Sequence, residues 1–199
     1  MPPNFTPFFL LMLILAYFIG SIPFGKIIVQ LKLKKNIQKL DSGNIGATNV
    51  GRVLGQNWGI LVFFLDFLKG FIVTFVGVWL FADINQALFL GLATLIGHIF
   101  PIYLGFKGGK GMATTCGILF VLAPFVIILC GFFHLLVLSQ IKTMSIASFS
   151  SLALCIILCW LVAPIEIFYF LLIFAILIVF SHRDNIKRLI AGKEFKLKH

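Results

Sequence analysis

GMATTCGILFVLAPFVIILCGFFHLLVLSQI, residues 111–141, is the longest charge-free stretch of the chain, and its reading sets the topology. It is 31 residues long, whereas a helix crosses a bilayer with about 20 apolar residues. Pro124, preceded by Ala123, interrupts it, and proline breaks or kinks a helix. Charge in the flanking segments decides between one helix and two.

The other charge-free stretches are 5–25, 53–65 continuing past Asp66 and Lys69 to 82, 84–106, 143–165 and 167–181. The segment after the first stretch holds Lys26, Lys32, Lys34, Lys35, Lys39 and Arg52, and the tail holds Arg183, Lys187, Arg188, Lys193, Lys196 and Lys198. Lys and Arg collect on the cytoplasmic side of a membrane, so both segments belong there, with an even number of crossings between them. One helix over 111–141 gives an odd number. A turn near Pro124 gives an even one and brings Lys107, Lys110 and Lys142 inside as well. The expectation is an all-α integral membrane protein of seven transmembrane helices, N-terminus outside and C-terminus cytoplasmic. Fifteen of the sixteen basic residues are then cytoplasmic or at that interface, Lys69 being the exception, and the outer turns carry Asp83 and Glu166. The first half of the split pair, 111–122, is only about 18 Å long at 1.5 Å per residue, so it should be tilted, buried or partly re-entrant.

Composition agrees. The chain of 199 residues is 61% hydrophobic and 11% charged, against about 25% charged for a soluble domain. A mean hydropathy of +1.12 excludes a soluble globule, a disordered chain and a lone nucleic-acid-binding domain despite the net charge of +10. No Lys or Arg precedes Lys26, so the first apolar run reads as a retained helix and not a cleavable signal. Cys116, Cys130, Cys155 and Cys159 all sit in apolar runs without metal-site or disulfide spacing. No internal repeat of the transporter kind stands out. A single membrane domain over 1–199 is expected.

Polarity collects in three cytoplasmic segments and one turn. The first is Asp41-Ser42-Gly43-Asn44-Ile45-Gly46-Ala47-Thr48-Asn49-Val50-Gly51-Arg52. Its glycines admit close backbone approach, and Arg52 offers a planar fork suited to phosphate. It also reads as a turn in which Asn or Thr caps the following helix, and helix N-termini bind anions. The second is Gly105-Phe106-Lys107-Gly108-Gly109-Lys110-Gly111, after Gly97-His98-Ile99-Phe100-Pro101. Glycines interleaved with lysines make an electropositive loop with free N–H groups, a nest for phosphate. It is not a Walker A loop, because Gly111 follows Lys110 where Ser or Thr is required. His98 reads as a local packing or capping group. The third runs from His182 to Glu194. It suits a basic amphipathic helix on anionic lipid, and His182 and Asn185 are one helical turn apart. In the turn Lys142-Thr143-Met144-Ser145, Ser145 reads equally as an N-cap and as a site residue. Asp66 and Lys69, three apart, should form an intramembrane ion pair. The chemistry therefore belongs to one face of a helical bundle, and its substrate is a small anion, a lipid head group, or both.

These segments resemble a bacterial family, the acyl-phosphate:glycerol-3-phosphate acyltransferases. The resemblance rests on Ser42-Gly43-Asn44-x-Gly46-Ala47-Thr48-Asn49 with Arg52, on Gly97-His98-x-Phe100-Pro101 with Phe106-Lys107-Gly108-Gly109-Lys110-Gly111, and on His182-Arg183-x-Asn185-Ile186-x-Arg188-Leu189 with Gly192-x-Glu194. Order, spacing, size and expected topology agree over essentially the whole chain. Asp41 departs from the family's usual Gly, Gln38 from a frequent Arg, and Lys142-Thr143 from a common Arg-Tyr.

The resemblance implies transfer of an acyl chain from acyl-phosphate to the sn-1 hydroxyl of glycerol 3-phosphate. The products are 1-acylglycerol 3-phosphate (lysophosphatidic acid) and phosphate, in the first step of phospholipid synthesis at the bacterial cytoplasmic (inner) membrane, with the active site facing the cytoplasm. A soluble phosphate acyltransferase would supply the donor. No metal, cofactor or nucleic acid is expected. Acyl-phosphate is already activated, so the enzyme has mainly to position two anions and stabilise an oxyanion. The His-x-x-x-x-Asp dyad of another acyltransferase class is absent. On this reading Lys107, Arg52, Ser145, His182 and Asn185 grip glycerol 3-phosphate. Gly108, Gly109, Lys110 and Gly111, with Ser42, Asn44 and Thr48, hold the acyl-phosphate and its oxyanion, and Asn49 is a further substrate-binding candidate. His182, Ser145, Lys107 and Asn185 are the catalytic candidates. The proton of the attacking hydroxyl goes to His182 or to a substrate phosphate. The phosphate is slightly favoured, since nothing in the sequence orients His182. A transporter of a phosphorylated or lipid anion is the alternative, but it needs a polar path that the outer half does not offer; a membrane scaffold would not need three polar loops on one side.

Overall fold

The computed structural model describes residues 5–196, so the tail residue Lys198 lies outside the described part. Among the described residues every regular element is helical. The chain divides into two compact units, the first ending at Ile118 and the second beginning at Leu119.

In the first unit, α1 (Pro7–Ser21) starts where the Thr6 hydroxyl accepts the Phe9 N–H at 3.2 Å, with proline in the first turn, where no N–H is needed. Pro23 interrupts the helix, and α2 (Phe24–Leu33) follows at once. The first helical segment therefore does not stop at Gly25 but carries Lys26 and Lys32 onward, ending at Lys34 with φ +56°. Next come α3 (Ala47–Leu54) and α4 (Gln56–Phe81). Gly55 between them has φ +100°, a conformation that glycine alone adopts readily. The Asp83 carboxylate caps α5 (Ile84–Ile99) by accepting the Asn85 N–H at 2.8 Å. α6 (Met112–Leu122) has eleven residues.

Helices α1 and α4 both pack along α5. A Cβ added at Gly20 would run into the Thr94 backbone, and one at Gly97 into the Tyr17 carbonyl. This is the small-residue contact that lets helices approach where lipid supplies no hydrophobic drive. Phe9, Ala16, Val73 and Leu90 fill one core. Val29, Ile37, Ile45, Val50 and Val62 form another, which anchors the polar segment 36–52.

In the second unit, α7 (Pro124–Ile141) begins at the expected break, with Ala123 at φ −147°, ψ 61°. It is followed by α8 (Met144–Val162), α9 (Ile165–Ser181) and α10 (Arg183–Ile190). α8 packs on α7 and α9. α9 buries Ile167, Leu171, Phe174 and Ile178, the 4-3-4 spacing of one helix face. The cysteines are free thiols.

Trp79, Phe125, Phe132, Trp160 and Ile176 are 63–80% exposed. That surface is unfavourable in water and ordinary in lipid. Among the described residues five segments are long and apolar enough to cross a bilayer: Pro7–Leu33, Gln56–Phe81, Ile84–Leu104, Pro124–Ile141 and Met144–Val162. α9 with α10, bent by 61° between them, makes a sixth when the pair is taken as one span.

Candidate functional site

The first polar segment is organised by one side chain. Asn49, on α3 and 2% exposed, accepts the Ser42 N–H at 3.3 Å and donates to the carbonyls of Leu40 (3.2 Å) and Asn44 (2.7 Å). Asn44 in turn accepts the Gly46 N–H at 2.8 Å. These bonds fold 40–46 back over the start of α3, where Thr48 sits in the first turn. The expectation that Asn or Thr caps the following long helix is corrected. The segment forms its own helix, whose N-cap is Gly46 without a side-chain bond, and the N-cap of α4 is Gly55. Arg52, in the last turn of α3, meets Asp41 at 3.1 Å. Asp41 has φ +46°, which accounts for glycine being usual there.

The second polar segment leads from α5 into α6. Lys107 is exposed, and its carbonyl accepts the Gln38 amide at 3.2 Å, so the first and second segments touch. Gly108 and Gly109 correct the expectation of a nest of free N–H groups. Their N–H groups bond the carbonyls of Ile99 (3.1 Å) and His98 (3.0 Å). They satisfy carbonyls that the C-terminus of α5 leaves without helical partners. Gly109 and Gly111 are buried, Gly108 and Lys110 partly so. What the loop offers an anion is therefore the ammonium groups of Lys107 and Lys110 and the N-terminus of α6 immediately after Gly111.

His98 is neither a helix cap nor an isolated packing group. Its Nδ1 lies 3.6 Å from Asp66 Oδ1, and Asp66 holds Lys69 at 2.9 Å. The intramembrane ion pair expected from the sequence is thus present, with the His98 ring beside it.

In the second unit the organiser is Glu194, which sequence reasoning did not select. Its Oε1 accepts the Ser145 hydroxyl at 3.1 Å and the Asn185 amide at 2.5 Å, and its Oε2 accepts Arg188 Nε at 2.8 Å. Ser145 is not the N-cap of α8; that position is Thr143, without a side-chain cap. The third motif ended in Gly192-x-Glu194, and this is where the signal lay. Asn185 Oδ1 is buried without a hydrogen-bond partner, an arrangement that costs roughly 1–3 kcal/mol unless a ligand fills it. His182, 3% exposed, closes α9, and its Nδ1 lies 2.8 Å from the Ile178 carbonyl. A carbonyl only accepts, so Nδ1 carries a proton, and in the neutral imidazole the lone pair is then on Nε2. The imidazole is oriented after all, contrary to the sequence expectation.

The candidates thus fall into two groups. Ser42, Asn44, Thr48, Asn49, Arg52, Lys107, Gly108, Gly109, Lys110 and Gly111 belong to the first unit. Ser145, His182 and Asn185 belong to the second.

A family model described as glycerol-3-phosphate acyltransferase matches residues 10–192. The glycerol-3-phosphate acyltransferase of Aquifex aeolicus is 39% identical over 189 residues, covering 94% of this chain and 98% of that one. That of Staphylococcus haemolyticus is 39% identical over 195 residues, covering 94% and 96%. Among solved structures, PlsY (YgiH), an integral membrane glycerol 3-phosphate acyltransferase, in its glycerol 3-phosphate form matches with a TM-score of 0.91 at 38% identity over 96% of both chains. Its lysophosphatidic acid form matches with a TM-score of 0.88 at 38% identity, covering 96% of this chain and 95% of that one. With a match on this scale and a fold of apolar helices, the chain is an integral membrane protein that belongs to the glycerol-3-phosphate acyltransferase family.

Proposed function

We propose that this protein transfers an acyl chain from acyl-phosphate to the sn-1 hydroxyl of glycerol 3-phosphate, on the cytoplasmic side of a bacterial inner membrane. Lysophosphatidic acid and phosphate are released, and a soluble phosphate acyltransferase makes the donor. The observation that carries the reading is the Glu194 network, in which Ser145 and Asn185 share one carboxylate and Asn185 Oδ1 is buried and unsatisfied. That oxygen is suited to a substrate hydroxyl donor, as on glycerol 3-phosphate. Seven crossings with the N-terminus outside are supported by the helix break at Ala123, which makes the charge parity work.

In this mechanism the hydroxyl oxygen attacks the acyl carbonyl carbon, the bond to the phosphate oxygen breaks, and inorganic phosphate leaves with that oxygen. Ser145, Asn185, Lys107 and Arg52 hold glycerol 3-phosphate. Lys110 and the N-terminus of α6 after Gly111, with Ser42, Asn44 and Thr48, hold the donor phosphate and the developing oxyanion, while Gly108, Gly109 and Asn49 keep the two loops in place. The hydroxyl proton passes to His182 Nε2 or to a substrate phosphate. Orientation of the imidazole by Ile178 now supports His182, since a base must be held within hydrogen-bond reach of its proton. The acyl tail occupies an apolar groove lined by Pro23, Ile27, Leu31, Tyr103 and Leu104 together with Lys26 and Gln30.

Purified protein in lipid vesicles, given labelled glycerol 3-phosphate, is expected to make labelled lysophosphatidic acid from palmitoyl-phosphate and not from palmitoyl-CoA. Lys107→Ala and Asn185→Ala are each expected to lose about a hundredfold or more in rate, the scale of a removed charged or transition-state contact. Product from palmitoyl-CoA overturns the donor assignment. No product from folded protein returns the transporter reading, which vesicle uptake of glycerol 3-phosphate then tests.

Asp41→Gly is expected to lower the KM for glycerol 3-phosphate, because it releases Arg52 from a competing carboxylate. The pair is partly exposed, and such pairs are worth about 0.2–1 kcal/mol, so the decrease is at most about fivefold. An unchanged KM would mean that Arg52 does not hold this substrate.

A further inference from the structure

Asp66 and Lys69 in α4 and His98 in the last turn of α5 are 4–5% exposed. The function proposed above uses none of them. Lys69 Nζ lies 2.9 Å from Asp66 Oδ1 and 3.2 Å from the Ile22 carbonyl at the α1–α2 break, which also accepts the Phe24 N–H at 3.2 Å. His98 Nδ1 lies 3.6 Å from the same Asp66 oxygen. The opposite edge of the ring carries Nε2 and faces Gly109: a Cβ built there would overlap Nε2, and all three of its nearest atoms belong to this imidazole. The His98 and Ile99 carbonyls hold the N–H groups of Gly109 and Gly108. One side chain therefore links a buried carboxylate to the underside of the glycine-lysine loop, and its own backbone holds that loop.

A buried ion pair is weak evidence for stability, because apolar isosteres often replace such pairs at no cost. Here the pair lies beside a group that an apolar filler would not suit: His98 Nδ1, buried without a hydrogen-bond partner among the described residues, faces the Asp66 carboxylate at 3.6 Å. We propose that the Asp66–Lys69–His98 cluster is a positioning device that sets the height of the loop 105–111 against the donor phosphate. The inference rests on the reading that this loop holds acyl-phosphate. The three residues act through the loop and touch no substrate, which their burial requires.

The test neutralises the pair, since removing one partner would leave the other charge buried alone. Asp66→Leu/Lys69→Met is expected to fold, with a thermal midpoint in detergent near that of the parent. Its KM for palmitoyl-phosphate should rise about tenfold or more while that for glycerol 3-phosphate changes less than about twofold, a split that general destabilisation does not produce. Hydrogen–deuterium exchange at the Gly108 and Gly109 amides should accelerate about tenfold. If the double variant does not fold, His98→Phe keeps an aromatic ring and the ion pair but removes the Nδ1 that faces Asp66, and it is expected to give the same two signatures. Unchanged exchange together with an unchanged donor KM in either folded variant overturns the proposal. Should the parent itself fail to use palmitoyl-phosphate, the proposed function falls, and exchange alone then decides whether the cluster positions the loop.

Discussion

Glu194→Gln is expected to lower kcat/KM for acyl transfer by about a hundredfold, which is about 2.7 kcal/mol. The carboxylate serves three donors from separate parts of the second unit: Ser145 at the start of α8, and Asn185 and Arg188 on α10. Hydrogen bonds to a charged group contribute roughly 1.5–3 kcal/mol each. A glutamine keeps the shape but has one oxygen. If its nitrogen takes the Oε1 position, it faces the Ser145 and Asn185 donors; if it takes the Oε2 position, it faces the Arg188 guanidinium. Either orientation sets donor against donor. Arg188→Met provides the calibration, because it leaves the Ser145 and Asn185 bonds in place and should cost less kcat/KM than Glu194→Gln. Steady-state kinetics beside thermal unfolding in detergent make the check. A Glu194→Gln enzyme with undiminished kcat/KM would show that the placement of Ser145 and Asn185 does not matter to the reaction.

The importance of Glu194 illustrates what the sequence leaves hidden. The bonds of its carboxylate span nine residues to Asn185 and forty-nine to Ser145, and no local pattern carries such a pairing. The helix break at Pro124 was legible because two independent constraints met there, a proline and the parity of charge. The break at Gly55 was not. The residues on either side look helical, and one glycine inside a helical pattern is tolerated often enough to be no stop signal. The Asp66–Lys69 pair was legible from its spacing and from the cost of burying either charge alone, whereas the ring beside it, His98, lies on another helix. Glycine content correctly marked 105–111 as a loop rich in N–H groups. It did not show that Gly108 and Gly109 give theirs to α5, because donors can be counted from a sequence while their acceptors cannot.

Asn49 holds the matching position in the first unit, and Asn49→Leu is expected to cost about a hundredfold or more in kcat/KM together with a clear loss of stability. Leucine has nearly the same size, so the effect comes from the bonds and not from a cavity. It strands the Ser42 N–H and the Asn44 carbonyl, while the Leu40 carbonyl keeps only the Gly43 N–H at 2.9 Å. Each stranded group costs roughly 1–3 kcal/mol, toward the lower end where water reaches the loop. Asn49→Asp should be no better. Its carboxylate still accepts the Ser42 N–H but sets an oxygen against two carbonyl oxygens, which only a donor can satisfy. Thr48 separates holding the loop from holding the substrate. Its hydroxyl makes no hydrogen bond within the protein among the described residues, so Thr48→Val should leave the unfolding midpoint in place and raise the KM for acyl-phosphate. Asn49→Leu should lower the midpoint and kcat/KM together. If instead Thr48→Val lowers the midpoint and leaves KM alone, the first turn of α3 is scaffold, and the donor phosphate must be sought nearer the lysines of 105–111.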